Sequence, residues 1–131
     1  MSARDESPPG YGTVILEHFR RPQNRRPLEN ASGRGEASNP LCGDHVRFFL
    51  RAESGRIAEA TFEAEACAIC TAAASVLTDL AHGLTRAELE NMTDVRLETA
   101  LGTEIRPARQ KCAALPLEAA RQAARMMPDT T

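Results

Sequence analysis

The chain has 131 residues, 42% of them hydrophobic and 26% charged, the balance of an ordinary globular protein. A length of this order lets a chain bury roughly two thirds of its unfolded surface, so neither disulfides nor a metal are needed merely to fold. A net charge of -2, an aromatic content of 4% and no Trp exclude a basic nucleic-acid surface or a base-stacking platform.

No apolar run approaches the roughly 18 residues of a membrane span, so no membrane partner is expected. The start MSARDESPPGYG lacks the basic-then-apolar order of a secretory leader, which makes the cytoplasm the expected compartment. The ends, about residues 1–9 and 128–131, are expected to lack ordered structure.

In YGTVILEHFR, Tyr11, Val14, Ile15, His18 and Phe19 recur at steps of three and four, which predicts a short helix with one apolar stripe, ended by Pro22. The stretch RPQNRRPLENASGRGEASNPLCGD is punctuated by Pro, Asn, Ser and Gly and reads mainly as loop, with a short edge strand near residues 33–38. From His45 the period changes to two. Val46, Phe48 and Leu50 face one way, and His45, Arg47, Phe49 and Arg51 the other. After the turn AESG a second alternation sets Ala58, Ala60, Phe62 and Ala64 against Glu59, Thr61, Glu63 and Glu65, which predicts an antiparallel hairpin with Arg47 and Arg51 paired to glutamates.

After Cys67 the period returns to 3.6, with Ile69, Ala72, Ala73, Val76, Leu77 and Leu80 forming a buried stripe and Gly83 a C-terminal cap. Thr85 with Glu88 has the form of a capping box, and Asp94 is the expected cap of a helix running to about Leu101 and Gly102. PLEAARQAARMM predicts a last helix with Pro116 in its first turn. Grouped strands followed by grouped helices predict an α+β fold, with no internal repeat: one domain over 1–131, its small antiparallel sheet of about three strands packed by an N-terminal helix and a C-terminal group of helices.

In a reducing compartment the four cysteines, at 42, 67, 70 and 112, are read first as ligands or reactive groups, although any one of them can be a small buried hydrophobe. Cys42 precedes the first strong strand, Cys67 opens a helix, and Cys112 stands just before the last one. A helix N-terminus lowers a thiol pKa, which is the expectation for Cys67 and, less directly, for Cys112. NPLCGD adds Gly43, which tolerates positive φ, and Asp44, which offers an oxygen but is ordinarily a turn residue. Three thiolates and a carboxylate suit tetrahedral zinc or a two-iron unit.

These residues resemble a family. YGTVILEHFRRPQNRRPLENASGRGEASNPLCGD, TFEAEACAICTAAASVLTDLAHG and PARQKCAALPLEA, over about residues 11–126, are similar to the U-type iron-sulfur cluster assembly scaffolds: IscU, SufU and the N-terminal domain of NifU. The resemblance implies that Cys42, Cys67, Cys112 and Asp44 hold a transient 2Fe-2S cluster or a zinc ion. It implies sulfur received as persulfide from a cysteine desulfurase, with Cys42 and Cys112 as acceptor candidates, and recipient apo iron-sulfur proteins as further partners. Such a chain is a scaffold and sulfur carrier more than an enzyme.

Departures from the family pattern are informative. The RxKC form at Arg109 to Cys112 is similar to the SufU branch, because IscU-type scaffolds carry a His where Lys111 stands. The insertion usual in SufU is missing between Cys67 and Cys112. The LPPVK chaperone-binding motif is absent from LGTEIRPARQ, so an Hsp70-type chaperone is not an expected partner. Ala66 and Cys70 stand where Gly and Ser are usual. Cys70, one helical turn beyond Cys67, is a candidate auxiliary ligand, a resolving thiol or a core-edge residue. Arg109 and Lys111 are candidate auxiliaries that stabilise the Cys112 thiolate or an anionic cluster, or plain surface charges. His18 is expected to pack and His45 to be turned away by strand alternation; His82 is expected to be solvated at a helix end.

Two other readings compete. Strand, C-x-x-C, helix is how a thioredoxin-like thiol oxidoreductase begins, but such a site is completed by a downstream proline loop and further strands; Pro40 to Pro107 holds no intervening proline. A purely structural zinc module would use the same ligands, although the long loop around Cys42 favours an accessible site.

Overall fold

The structure is a computed structural model and describes residues 12–41 and 43–128. The expectations for the two ends fall outside the described residues except at Pro128, which is exposed.

Helix α1, Thr13–Arg20, buries Ile15 completely and stops as foreseen before Pro22, which disfavours helical backbone at Arg21. Asn24 then takes a left-handed φ of 60°, a conformation its short polar side chain tolerates. Its carbonyl accepts from Phe62 N at 3.0 Å, and its side-chain amide donates to Thr78 Oγ1 at 3.0 Å. The segment after α1 is thereby tied both to the sheet and to the central helix.

Three antiparallel strands in the order β1-β2-β3 form the sheet: β1 Gly33–Asn39, β2 Asp44–Glu53 and β3 Arg56–Glu65. The edge strand expected near 33–38 is present. Ser54 and Gly55, at φ 52° and 78°, make the two-residue hairpin turn whose twist suits the flanking strands. Val46, Phe48 and Leu50 are buried on the inner face, and Phe48 stands opposite Phe62 with both fully buried, an aromatic pair worth about 0.5–1.5 kcal/mol beyond area burial. Arg47 reaches Glu36 at 3.2 Å and Glu63 at 3.8 Å, and Arg51 reaches Glu59 at 3.3 Å. The hairpin's expected ion pairs therefore form.

Alternation alone misjudges two places. Phe49 and Thr61, paired in register on the outer face, are buried as well, and Phe49 lines a cleft with Arg34, Glu36, Arg47 and Gln122. A register shift at Arg51/Ala52 buries Ile57, whose backbone bonds with Gly83 and Leu84 beyond the central helix, and leaves Ala58 half-buried.

Helix α2, Ala68–Ala81, is buried continuously from Ile69 to Thr78, so it is a central helix and not a one-sided stripe. Its run of Ala72, Ala73, Ala74 and Ser75 lets neighbours approach closely, and the hydroxyls of Ser75 and Thr78 accept bonds from the segment after α1. Ser75 Oγ accepts from Gln23 N at 2.6 Å and lies 2.7 Å from His18 Nδ1. His18 is thus packed, as expected. Helix α3, Arg86–Glu90, carries the expected capping box of Thr85 and Glu88. Helix α4, Asp94–Leu101, is capped by Thr93 and not by Asp94, because the Thr93 hydroxyl accepts from Arg96 N at 3.1 Å and leaves Asp94 as the first helical residue. Gly102 ends it at φ 75°.

A 3-10 turn over Pro107–Arg109 leads directly into helix α5, Gln110–Met126. The last helix therefore starts earlier than periodicity predicts and takes Cys112 into its first turn, with Pro116 inside. One hydrophobic cluster joins residues of α1, all three strands and α2 to α5, in an α+β arrangement. No described helix is long and apolar enough to cross a membrane.

Candidate metal centre

The connection from β1 to β2 is closed by Asn39 and Asp44, which pair across the strands. Within it, Asn39 Oδ1 accepts from Leu41 N at 3.1 Å and the Asn39 carbonyl accepts from Gly43 N at 2.8 Å. Gly43 sits at φ 75°, left-handed backbone that glycine adopts without a Cβ penalty. Cys42 itself lies outside the described residues. Asp44, the first residue of β2, is 4% exposed.

Cys67 is the N-cap of α2, with extended backbone at φ -67° and ψ 169°. Its Sγ accepts from Cys70 N at 3.5 Å, which satisfies one of the unpaired donors of the helix start. Its own N–H donates to Asp44 Oδ1 at 3.1 Å. That bond fixes the carboxylate against the helix entrance. Asp44 Oδ2, the other oxygen, is buried without a hydrogen-bond partner.

Cys112 completes the group from α5, with 4% of its surface exposed. Pro116, four residues on, has no N–H for the Cys112 carbonyl, so the helix ladder is interrupted at the candidate ligand. One donor atom from each of Asp44, Cys67 and Cys112 lies within 4.8 Å of the others. Ligands around a single tetrahedral zinc stand about 3.5–3.8 Å apart, given metal–ligand bonds of about 2.0–2.3 Å. Two soft thiols and an unpartnered buried carboxylate oxygen fit zinc or iron, and the orphaned Oδ2 is the atom whose burial such an ion would compensate.

The electrostatics of Cys112 run against the sequence expectation. Its thiol pKa is pushed up from 9.0 to about 12, first by burial and then by the neighbouring Cys67 and Asp44. A helix start and two flanking cations do not lower it. Arg109 and Lys111 are exposed while the sulfur is buried, and solvent screens them from it.

The remaining candidates separate cleanly. Cys70 is wholly buried in the core and stands outside the three-donor group. His45 points across the outer face to Glu36 Oε2 at 3.1 Å, away from the inward Asp44, as alternation requires. His82 is exposed at the end of α2. Sequence reasoning missed the Asp44–Cys67 hydrogen bond, a contact over 23 positions with no local signal. It also missed the coupling of Cys112 to Pro116, although the spacing of four was readable once the helix start was known.

Residues 10–131 match the description of the NifU-like N-terminal domain. Over 117 residues, 88% of this chain, it is 37% identical to the bifunctional protein NifU/MnmA of Rubrobacter xylanophilus, but spans only 24% of that protein. It is 31% identical to the iron-sulfur cluster assembly scaffold protein IscU 1 of Archaeoglobus fulgidus, covering 86% of this chain and 73% of the relative. The zinc-dependent sulfurtransferase SufU of Bacillus subtilis is 30% identical, with 80% and 82% covered. Among solved structures, a putative iron-sulfur cluster assembly scaffold protein for the SUF system from Fervidobacterium islandicum superposes with a TM-score of 0.72 over 87% of this chain and 96% of its own, at 24% identity, a likeness of fold. With the family match running across nearly all of its length, the chain belongs to the NifU-like N-terminal domain family, that of the IscU, SufU and NifU iron-sulfur cluster assembly scaffolds.

Proposed function

We propose that this chain accepts sulfur as persulfide from a cysteine desulfurase and holds a transferable 2Fe-2S cluster, or a zinc ion, on Cys42, Cys67, Cys112 and Asp44, for delivery to apo iron-sulfur proteins in the cytoplasm. The observation that carries this reading is the convergence of Asp44, Cys67 and Cys112, from three separate elements, around one unpartnered carboxylate oxygen. A bound metal supplies a Lewis-acidic centre that keeps coordinating thiols deprotonated. The cluster is cargo.

The protein's residues hold and orient. Asp44 Oδ1 stays committed to Cys67 N, leaving Oδ2 as a single, hard oxygen donor in an otherwise sulfur set. Cys67 is partly buried and keeps some contact with solvent, whereas Cys112 is sheltered. Cys42 and Cys112 are the acceptor candidates. A three-stranded sheet with no strand after α2 among the described residues is not a thioredoxin arrangement, which disfavours that rival. The zinc form gains support from the relative named as a zinc-dependent sulfurtransferase.

The test is anaerobic reconstitution with iron, cysteine and a desulfurase, comparing wild type with Cys42→Ser, Cys67→Ser and Cys112→Ser. Wild type is expected to gain persulfide by mass and cluster absorption in the visible range, and each variant to lose the cluster. Wild type that acquires neither, under conditions that load a known scaffold, overturns the reading.

A further inference from the structure

Cys70 stands outside the candidate ligand group. It occupies the third position of α2, with Cys67 as the N-cap, and its N–H lies 3.5 Å from the Cys67 Sγ. Within α2 the Cα–Cβ bond tilts toward the helix N-terminus, so the Cys70 sulfur leans toward the Cys67 end, where its own N–H already meets the Cys67 Sγ. Exposure is asymmetric. Cys67 is partly buried and Cys70 is 0% exposed. A partly exposed N-cap thiol that receives a group, with a buried thiol one turn along, is the arrangement of a dithiol that resolves a covalent intermediate.

The proposed sulfur chemistry leaves an electron gap for such a dithiol to fill. Sulfane sulfur in a persulfide is at oxidation level zero, whereas cluster sulfide is at minus two. We propose that Cys70 is the resolving thiol of this site: it attacks the Sγ of a Cys67 persulfide and releases the sulfane sulfur as hydrosulfide. The Sγ–S bond of the persulfide breaks, a Cys67–Cys70 disulfide forms, and the Cys70 proton leaves with the product, so that Cys67-S-SH plus Cys70-SH gives the disulfide plus H2S. Two cysteine sulfurs supply the two electrons that the sulfane sulfur takes up.

Sulfur first accepted on Cys112 reaches Cys67 by thiol-persulfide exchange without net oxidation, since the Cys67 and Cys112 sulfurs lie within 4.8 Å. A small thiol or a protein dithiol reduces the disulfide and returns Cys67 to the ligand set. Sulfide release and metal holding are therefore successive, and zinc on Cys67 blocks the first. The step rests on the sulfur-acceptor reading above.

The experiment loads the metal-free full chain anaerobically with a desulfurase and limiting cysteine, then removes small thiols. Sulfide is trapped with a bimane, and thiols, persulfides and disulfides are mapped by peptide mass spectrometry on wild type, Cys70→Ser and Cys70→Ala. Wild type is expected to yield one Cys67–Cys70 disulfide per sulfide. Both variants are expected to retain the persulfide and release sulfide at least about tenfold more slowly. Zinc-loaded wild type is expected to form no disulfide. Wild type that keeps a persulfide while Cys67 and Cys70 remain thiols overturns the role of Cys70 alone, and this readout needs no variant. Sulfide released equally fast from folded Cys70→Ala has the same meaning. Absence of persulfide from all three proteins, with no sulfide formed, sinks the acceptor reading and this step with it.

Discussion

Asp44 does two jobs with two oxygens. Oδ1 takes the Cys67 N–H and Oδ2 is left buried and unbonded, so removing the carboxylate would also leave that N–H without its acceptor, a loss of about 1–3 kcal/mol. Cys112 is the counterpart that burial makes reluctant. With its thiol pushed up from 9.0 to about 12, the folded state favours the neutral form and the thiolate fraction stays small through pH 9. In the metal-free protein, iodoacetamide is expected to modify Cys67 well before Cys112, and Cys112 labelling to rise only as pH climbs toward 12. Peptide mass spectrometry across a pH series checks this; Cys112 labelling with the profile of an ordinary thiol would count against its burial. At this scale Cys67, Cys112 and Asp44 were legible from the chain as candidates. Which oxygen is held, and which sulfur stays protonated, depends on neighbours 23 and 45 positions away and was not.

Among the elements, β1 and α5 fit because β1 has almost no side chain where they meet. A Cβ on Gly35 would stand 2.1 Å from the Ala119 carbonyl oxygen, and one on Gly33 would stand 2.0 Å from that of Ala123. Backbone cannot retreat from such contacts without moving α5, which carries Cys112. Gly35→Ala is therefore expected to destabilise the protein by about 3 kcal/mol or more and to displace Cys112 from Asp44 and Cys67. Urea unfolding measures the first and zinc affinity the second; a variant with wild-type values for both would refute this account of the packing. Periodicity found β2, β3 and α2 because apolar side chains repeat at the pitch of each element. It placed the start of α5 too late because Gln110 and Lys111 are exposed and carry no stripe, and because Pro116 resembles a first-turn proline.

For the whole molecule, the candidate centre is a junction. Asp44 comes from the start of β2, Cys67 from the end of the hairpin and Cys112 from α5, so an ion held by all three ties distant parts of the chain together. A ligand that binds only the folded chain stabilises it by about 4 kcal/mol at a thousand times its Kd. Zinc is expected to raise the melting temperature of wild type by on the order of 5 °C or more and to leave Cys112→Ser and Asp44→Ala much less affected. Calorimetry with and without zinc decides; equal shifts in all three would mean binding elsewhere.

By itself, the sequence determined the α+β order of elements, the inner face of the hairpin, the capping box at Thr85 and the residue types able to hold a metal, because each is written in local spacing and side-chain chemistry. Tertiary structure alone decided that Asp44, Cys67 and Cys112 meet, that Phe49 and Thr61 are covered, that α2 is buried all round and that Cys70 lies in the core. Those outcomes follow from packing between segments remote in the chain, where the burial of a group is set by what the fold places over it.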